Sequence, residues 1–430
     1  MQVRFNHFLA VLLAICLAVG VYGMGAASPE TTATFWVTNT NDSGSGSLRQ
    51  ALLDANASAA TQIYVNFNIP GAAPHVIQTL TRLPDIDPGI EISALTQPDA
   101  DCSVWPPTLT VVLKPANPSA GGSPGLFLNS QSKLQGLVIQ GFTVGVEVWD
   151  SNNTLWCNFI GTNPAGTASV GNGAGVEISN GGTGNVIGGL TPTTRNLISG
   201  NGDGIQIGPG ATGNTVWGNY IGTQVNGTGS LPNSGVGIRI NGALHNLIGG
   251  STISQGNVIA FNGAEGIRVS HQNLALTIDN TISHNLIFGN DKLPVDLGSD
   301  GVTANDAGDA DYGDNNLQNY PDSMTAVRLG ASMMLTGKLQ SQANNTYQLE
   351  FYRSQTCNVL GHGDAQTFVG TLNVTTAANG QVQFATLVNY AGSGFISATA
   401  TDLSSGDTSE FSICTAIQAG SAVFLPILRK

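Results

Sequence analysis

A row of charged side chains recurs at regular intervals along the chain and has the residue types needed for chemistry. Five tetrads, "GVEV", "GVEI", "GIQI", "GIRI" and "GIRV", each hold a polar residue between two apolar ones, and these residues are Glu147, Glu177, Gln206, Arg239 and Arg268. An acidic pair followed by a basic pair can bind a charged glycan. In a lyase, an arginine can act as the base beside a carboxylate that holds a metal ion. The row is therefore a candidate binding or catalytic surface, and the alternative is a ladder of solvated charges with no ligand.

Two tryptophans form a second candidate site. Trp156 in "NTLWCN" and Trp217 in "NTVWGN" occupy matching places two repeat units apart, and Gly188 and Gly249 occupy the equivalent places in the units that follow each of them. If each unit contributes one strand, the two indoles lie about 10 Å apart, close to the length of a disaccharide. We therefore expect a platform for sugar rings. The alternative is that each indole covers a neighbouring glycine, as aromatic residues do in sheets.

Carboxylates concentrate in residues 291–322, which hold eight aspartates and one lysine. We predict that this stretch is an acidic connector. Within it, "NDAGDADYGDN" forms a glycine-bent loop with four carboxylates, at Asp306, Asp309, Asp311 and Asp314. Calcium takes about six to eight oxygen ligands, so these four residues are candidate calcium ligands. Their spacing does not fit an EF-hand, and the alternative is a solvated linker.

A repeat must position the first two candidate sites. The tetrads recur at nearly equal intervals, and they begin at Gly145, Gly175, Gly204, Gly237 and Gly266. Each unit contains three short segments with alternating apolar residues, which are too short for helices and too rich in glycine for a sandwich core. We interpret each unit as one coil of three strands. Stacked coils would pair equivalent strands about 4.8 Å apart and give a parallel β-helix.

A longer period, equal to two successive units, sets the corners of the coils. It relates Asn185 to Asn246 and Asn196 to Asn257. Asparagine tolerates left-handed backbone, and its amide can bond to the same amide one coil away. We expect these residues to form corner ladders, while the second and fourth residues of each tetrad stack inside as an aliphatic column.

The end of an open stack needs a cover, because its strand edges are unpaired. In "SGSLRQALLDAN", Ser47 and Gln50 have the spacing of a capping box. One helical face of this segment is apolar and consists of Leu48, Leu52 and Ala55. The sequence therefore predicts an amphipathic helix over residues 47–56 that seals the first coil, within a first domain of residues 28–290.

The pattern changes in residues 323–418 to about seven alternating strands, which predicts a small immunoglobulin-like β-sandwich. We expect Cys357 and Cys414 to form a disulfide in this domain, because export exposes the chain to an oxidising compartment. The sequence leaves the pairing of Cys102 with Cys157 open. The tail, residues 419–430, is apolar and then basic, and it is either an attachment signal or a final strand.

Residues 1–27 have the features of a signal peptide, with Arg4, an apolar run and small residues before Ser28. The remainder has 13 basic and 27 acidic side chains, a net charge of 13 − 27 = −14. Nucleic acid is disfavoured as a partner, since phosphate binding needs clustered Lys and Arg. No later segment reaches the roughly 18 apolar residues of a membrane span. We expect a secreted or cell-surface protein with no membrane span in its mature chain.

The motif "NDSGSGSLRQALLDAN", followed by "NVIGG", "GNYIGT" and "NGDGIQI", resembles the secreted bacterial right-handed parallel β-helix repeat proteins. These proteins begin with a Ser-Leu-Arg-Glu/Gln-Ala-Ile type cap, and the resemblance covers roughly residues 34–418. Many members have Cys where this chain has Gly46, so a bridge from that position is absent. The resemblance implies the fold of pectin lyases and polygalacturonases, but it implies no activity, because most members have no assigned function.

These features together predict an all-β protein. It consists of a right-handed parallel β-helix with a short N-terminal capping helix, followed by a small immunoglobulin-like β-sandwich. We expect a non-catalytic binding or adhesion module whose partner is a carbohydrate, either a polysaccharide or a cell-surface glycan, with calcium as the candidate cofactor. The alternative is a polysaccharide lyase or glycoside hydrolase that uses the outer sheet. A third option is a purely structural surface protein.

Overall fold

The computed structural model describes residues 30–117, 123–271 and 277–420. The predicted signal peptide, residues 1–27, lies outside the described residues, as does most of the predicted tail, residues 421–430. The chain is nearly all β, which confirms the predicted all-β class. Within the described ranges, no helix is both long enough and apolar enough to cross a membrane.

Three parallel sheets make up most of the fold, and from β4 onward successive strands generally alternate among them. The first contains β1 (Thr32–Val37), β2 (Gln62–Phe67), β4 (Ile90–Ser93), β7 (Lys133–Gln135), β10 (Thr154–Trp156), β13 (Val186–Gly188), β16 (Thr215–Trp217), β19 (Leu247–Gly249) and β22 (Thr281–Ser283). The second contains β3 (His75–Thr79), β5 (Val111–Pro115), β8 (Leu137–Ile139), β11 (Phe159–Ile160), β14 (Leu197–Ile198), β17 (Tyr220–Ile221), β20 (Val258–Ala260) and β23 (Leu286–Phe288). The third contains β6 (Pro124–Leu128), β9 (Val144–Val148), β12 (Ala174–Ile178), β15 (Asp203–Ile207), β18 (Ile238–Asn241), β21 (Ile267–Ser270) and β24 (Val295–Leu297). This arrangement is consistent with the predicted parallel β-helix.

The interior of the stack is aliphatic because each tetrad turns its second and fourth residues inward. On the third sheet, Val176 pairs with Ile205 and Ile205 pairs with Ile238, and all three side chains are fully buried. Each such burial contributes about 1.5–3 kcal/mol. The first tetrad position requires glycine, since a Cβ at Gly204 would lie 2.4 Å from the carbonyl oxygen of Gly237 in the next coil.

Asparagine ladders form at the corners, as predicted. Asn196 Nδ2 donates to Asn219 Oδ1 at 3.0 Å, and Asn219 Nδ2 donates to Asn257 Oδ1 at 3.0 Å in the next coil. Three ladders run along the stack, and their members are Asn153, Asn185, Asn214, Asn246 and Asn280, then Asn158, Asn196, Asn219, Asn257 and Asn285, then Asn172, Asn201, Asn233, Asn262 and Asn290. The sequence did not predict the third ladder. The left-handed backbone that we expected at these residues occurs instead outside the ladders, for example at Asn152 and Asn180.

A single α-helix is described, α1, which spans Leu48–Asn56. Ser47 is its N-cap, and the Ser47 Oγ accepts a hydrogen bond from the backbone N–H of Gln50 at 3.2 Å. The reciprocal half of the expected capping box does not form, because the Gln50 side chain donates to Asp54 at 2.8 Å. The buried face of α1 belongs to the apolar cluster inside the stack and consists of Leu48, Ala51, Leu52 and Ala55. Single turns of 3-10 helix lie at Ala94–Thr96, Pro192–Thr194 and Ile253–Gln255, and a turn with left-handed backbone at Asn315 and Asn316 lies at Asp314–Leu317.

The last seven strands form the C-terminal unit, residues 322–419. They are β25 (Asp322–Leu329), β26 (Ser332–Gln340), β27 (Thr346–Ser354), β28 (Thr367–Thr375), β29 (Gln381–Val388), β30 (Phe395–Asp402) and β31 (Thr415–Ala419). Their order is β28-β27-β30-β31-β25-β26-β29, and neighbours are antiparallel except for β25 and β31. The unit has its own apolar core, which includes the fully buried Tyr347 and Phe351.

Two disulfides connect distant segments. Cys357 is bonded to Cys414 in the C-terminal unit, as predicted. Cys102 is bonded to Cys157, a pairing that the sequence left open. The second bond attaches the loop after β4 to the outside of the stack, where both cysteines belong to a buried cluster with Phe159.

The stack extends past residue 290, where we expected it to end. Strand β24 pairs in parallel with β21, with Ile267 opposite Val295. The predicted connector, residues 291–322, therefore contributes a strand to the last coil. The prediction ended the stack too early because the motif changes here. Pro294 stands where the earlier tetrads have glycine, so "PVDL" does not match the glycine pattern.

Candidate functional site

The predicted row of tetrad side chains forms on the third sheet, between inward-facing neighbours. Its members follow one another in register, in the order Phe127, Glu147, Glu177, Gln206, Arg239, Arg268 and Asp296. We call this set the outer row. The sequence identified its five central members, and the structure adds an aromatic residue at one end and a carboxylate at the other.

Arg239 is held by a carboxylate from the neighbouring coil. Its Nη2 lies 2.8 Å and its Nε 3.0 Å from Oδ2 of Asp203. The same oxygen accepts a hydrogen bond from Gln206 Nε2 at 2.8 Å. Asp203 is largely buried and immediately precedes the tetrad glycine at position 204. The guanidinium is therefore neutralised within the protein, and sequence reasoning missed its partner.

Arg268 is paired in the same way, with Glu265 of its own strand segment. Glu265 is 2% exposed, and its Oε1 also lies 3.2 Å from Nζ of Lys292. Burial acts to raise the pKa of Glu265, but hydrogen bonds and the charges of Arg268 and Lys292 outweigh it and hold the pKa below its ordinary value. Both arginines of the outer row thus have fixed acidic partners.

The two glutamates of the outer row lie side by side on paired strands. Glu147 is opposite Glu177, and its Oε1 accepts a hydrogen bond from Ser179 Oγ at 3.3 Å. Partial burial, and then the charge of Glu147, raise the pKa of Glu177. Glu177 therefore holds a proton more readily than an isolated, exposed glutamate does.

An aromatic cluster lies at the N-terminal end of the outer row, and we define it as Phe127, Trp149 and Arg82. The ring centroids of Phe127 and Trp149 are 5.3 Å apart, and Arg82 Cζ lies 4.8 Å from the centroid of Phe127. The Trp149 residue is 39% exposed. Since alternate residues of a strand share a face, Trp149 stands beside Glu147, two positions earlier. The sequence signal for this neighbourhood is the two-residue spacing of Glu147 and Trp149 in "GVEVWD", which the sequence prediction missed.

Arg49, from the "SLRQ" motif, positions the loop that carries Arg82. Its Nη1 donates to the carbonyl oxygen of Arg82 at 2.7 Å, and its Nη2 donates to the carbonyl oxygen of Thr81 at 2.9 Å. An ion pair of 2.7 Å with Asp42 fixes the guanidinium itself. The motif that carries the resemblance therefore holds in place the loop that contributes Arg82 to the aromatic cluster.

The two predicted platform tryptophans occupy one row of the first sheet. Trp217 is opposite Gly188, and Trp156 is level with Gly188 on the other side. Both indoles are only partly exposed. Trp156 packs against the buried cluster around the Cys102–Cys157 bond, and Trp217 Nε1 is buried without a hydrogen-bond acceptor among the described residues. The glycine between them is required by the backbone, because a Cβ there would lie 2.1 Å from the carbonyl oxygen of Trp217.

Three of the four predicted calcium ligands come together. Oxygens of Asp306, Asp309 and Asp311 all lie within 4.8 Å of one another. Burial raises the pKa of Asp309 to about 6, against hydrogen bonds from Ser341 and the backbone of Asn319 that lower it. Burial and then the charge of Asp306 raise the pKa of Asp311, whose Oδ1 has no hydrogen-bond partner in the described part of the chain. Three crowded carboxylates can be neutralised by protons or by a cation.

The fourth predicted ligand, Asp314, lies elsewhere, so this part of the prediction is wrong. Asp314 is 1% exposed, and its Oδ2 lies 3.0 Å from Nδ1 of His271. Its other oxygen accepts from the backbone N–H of Thr277 at 3.3 Å. These contacts with His271 and Thr277 hold Asp314 apart from the other three carboxylates.

No protein-family model matches the chain, and a search of curated proteins finds no significant match.

Proposed function

We propose that this chain is an exported, non-catalytic binding module for carbohydrate, and that the glycan lies along the aromatic end of the outer row. The observation that supports this most is the exposed Trp149 indole beside Phe127 and in line with the Glu147 carboxylate. Aromatic side chains offer a large apolar face, and carboxylates accept hydrogen bonds from hydroxyl groups. Strands about 4.8 Å apart offer repeated contacts to a linear polymer.

The arginines favour binding over elimination chemistry. A base in a lyase must accept a proton from the sugar, whereas Arg239 and Arg268 each lie in an ion pair with a largely buried carboxylate. A guanidinium held by a charge-assisted hydrogen bond keeps its protons. These two residues therefore support the structure of the outer row in our proposal.

Glycoside hydrolysis at Glu147 and Glu177 is a second candidate function. The raised pKa of Glu177 favours a proton donor there, beside a second carboxylate on the adjacent strand. Retaining glycosidases use two carboxyl groups about 5–5.5 Å apart, which is near the spacing of paired strands of about 4.8 Å.

One experiment separates these functions. The mature protein is incubated with neutral and polyanionic polysaccharides, and retention, new reducing ends and unsaturated products are measured. We expect retention without product. Reducing ends that disappear in Glu177→Gln would establish the hydrolase, and unsaturated product would establish a lyase. Neither retention nor product on any polysaccharide would overturn the binding proposal and favour a structural protein.

Trp149→Ala is expected to weaken glycan binding about tenfold or more, equivalent to at least about 1.4 kcal/mol, because it removes the exposed stacking face. Affinity is measured on the polysaccharide that the parent protein retains best. Trp36→Ala is the matched control, since Trp36 is 48% exposed but lies on the first sheet at the N-terminal end. Equal binding by Trp149→Ala and the parent would disprove this site. If only Trp156→Ala with Trp217→Ala weakens binding, the glycan lies on the first sheet instead.

We also propose that Asp306, Asp309 and Asp311 hold a calcium ion, with carbonyl groups and water completing its ligands. The unpartnered Asp311 Oδ1 fits a metal ligand. Calcium at about 100 times its dissociation constant would stabilise the fold by about 2.7 kcal/mol, so the melting temperature should fall when a chelator replaces calcium. Asp311→Asn should remove most of this response, whereas Asp291→Asn, an exposed aspartate in the same connector, should keep it. An unchanged melting temperature would exclude the ion.

Finer features of the fold are part of the same proposal. We propose that the β-helix is right-handed, that α1 seals its first coil, and that the C-terminal unit is an immunoglobulin-like sandwich. The burial of one face of α1 among the apolar residues of the stack supports the second point. The resemblance to secreted bacterial β-helix repeat proteins supports the first. Two disulfides are compatible with a secreted or cell-surface location.

A further inference from the structure

The last coil of the stack ends against the C-terminal unit. Its strands β22, β23 and β24 are the final members of the three parallel sheets. An edge strand presents unpaired backbone N–H and C=O groups. Three apolar side chains of the C-terminal unit join the buried cluster inside the stack, and they are Tyr352, Ala365 and Phe411.

Four acidic side chains of the C-terminal unit accept hydrogen bonds from backbone N–H groups of this coil. We call them the junction carboxylates. They are Glu350, Asp364, Asp407 and Glu410, and they bond the N–H groups of His284, Gly289, Asp279 and Leu297 at 2.9, 3.1, 2.6 and 3.0 Å respectively. The ends of all three sheets are therefore closed by carboxylates.

The junction carboxylates differ in how their charge is balanced. Glu350 is fully buried, and its Oε1 lies 2.9 Å from Nδ1 of His284. Glu410 is 2% exposed and has no ion-pair partner among the described residues. Its Oε1 accepts from Leu297 and its Oε2 from the backbone N–H of Thr303, at 3.0 Å each. The charge of Glu350 is thus balanced by His284, whereas Glu410 has only hydrogen bonds from backbone N–H groups.

The ionisable groups around Glu410 add to the energetic cost of a negative charge on its carboxyl group. Asp296 and Asp300, both from the end of the stack, face it, and so does the phenol of Tyr320. The nearest basic group in the outer row, Arg268, is paired with Glu265. Burial raises the pKa of Glu410 to about 8, the two backbone hydrogen bonds oppose this, and Asp296 and Asp300 add to it.

We propose that this junction is a proton-dependent latch, in which Glu410 holds the C-terminal unit to the third sheet as a protonated carboxyl group and loosens its hold on ionising. Ionisation would leave a buried negative charge beside two further carboxyl groups, a state that burial strongly disfavours. Asp364 acts in the same direction at the second sheet, because burial raises its pKa to about 6.

The sign of the effect follows from proton linkage. Glu410 releases its proton near pH 4.5 in the unfolded chain and near pH 8 in the folded chain. Between these values the folded state binds the additional proton, so the stability of the junction falls as the pH rises through this window and levels off above about pH 8.

Hydrogen exchange on the full mature chain tests the latch. Exchange rates, corrected for the intrinsic effect of pH, are compared at pH 6 and pH 9 for peptides that contain Leu297 and Thr303. In the parent protein, we expect the corrected exchange rate of these peptides to be about tenfold higher, or more, at pH 9 than at pH 6. Glu410→Gln, which cannot ionise, should show no such increase, whereas Glu91→Gln, a glutamate of the first sheet near the opposite end of the stack, should behave as the parent. An equal increase in Glu410→Gln, or none in the parent, would overturn the proposal.

A second measurement needs no variant. The chain has only seven glutamates, so carbon-13 labelling of their carboxyl groups gives few resonances to follow. We expect one glutamate to titrate near pH 8. If every glutamate titrates below pH 7, Glu410 does not act through its proton and the proposal is wrong.

Discussion

Asn219→Ala is expected to lower the free energy of unfolding by about 3 kcal/mol or more, because it leaves several buried polar groups without partners. Asn219 is fully buried, and its Oδ1 accepts from the backbone and side-chain nitrogens of Asn196 at 3.2 and 3.0 Å. Its Nδ2 donates to the carbonyl oxygen of Ile187 at 2.8 Å and to Asn257 at 3.0 Å. Each buried group that alanine leaves unpaired costs about 1–3 kcal/mol.

Urea unfolding of the parent and variant measures this difference. The control is Asn373→Ala, because Asn373 is exposed on β28 and its loss should cost no more than about 0.5 kcal/mol. If the two alanine variants are equally stable, the ladders do not contribute to the stability of the stack in the way described.

Glu350→Gln is expected to cost about 3–5 kcal/mol at pH 6, because it breaks a buried ion pair. Both oxygens of Glu350 act as acceptors, one for Ser283 and His284 and the other for the His284 N–H and the Tyr352 hydroxyl. An amide nitrogen cannot accept from any of these groups. Glu147→Gln, at a partly exposed position of the outer row, should cost far less in the same unfolding experiment.

The pH dependence of this cost has two limits. Burial acts to raise the pKa of Glu350, but the bonds and charge of His284 outweigh it and hold the pKa below its ordinary value of 4.5. That contribution is present above about pH 4.5 and is lost as the pH falls through the folded value. Burial acts to lower the pKa of His284, but Glu350 raises it above 6.5, so this contribution is present below pH 6.5 and is lost as the pH rises through the folded value. The difference between parent and Glu350→Gln should therefore be largest between these limits, and a constant difference from pH 3 to pH 9 would contradict the pairing.

The repeat made the stack and its outer row predictable. The regular spacing of the units fixes which residues lie level with one another, and alternation within each tetrad fixes which of them face inward. For that reason Glu147, Glu177, Arg239 and Arg268 fall in one row, as expected.

The partners of these side chains were not predictable in the same way. Asp203 contacts Arg239 across 36 residues, from the position before a tetrad glycine where the two preceding coils have Val144 and Ala174. The position before the tetrad glycine holds Val144, Ala174, Asp203, Val236 and Glu265 in successive coils, so the alignment of the tetrads does not by itself show which of these residues pairs with an arginine. The separation of Asp314 from the acidic cluster depends on its bonds to His271 and to the Thr277 N–H, 43 and 37 residues earlier, which the spacing of the aspartates does not reveal.

The exposure of the tryptophans also depends on contacts outside the repeat. Trp156 and Trp217 share a row by period, but a loop attached through Cys102 and Cys157 packs beside one of them. Trp149 remains exposed where it directly follows β9, a strand of the third sheet.

The closure of the last coil also sets an order of events during synthesis. The N–H of Leu297 finds its acceptor in Glu410, 113 residues later in the chain. The end of the stack can complete its hydrogen bonds only after Glu410 has been synthesised, although the coils before it pair with neighbours already present. Long separations between partners slow folding. We therefore expect the docking of the C-terminal unit to be a late step in the folding of the stack, and nascent chains that stop before Glu410 to retain an open, association-prone end.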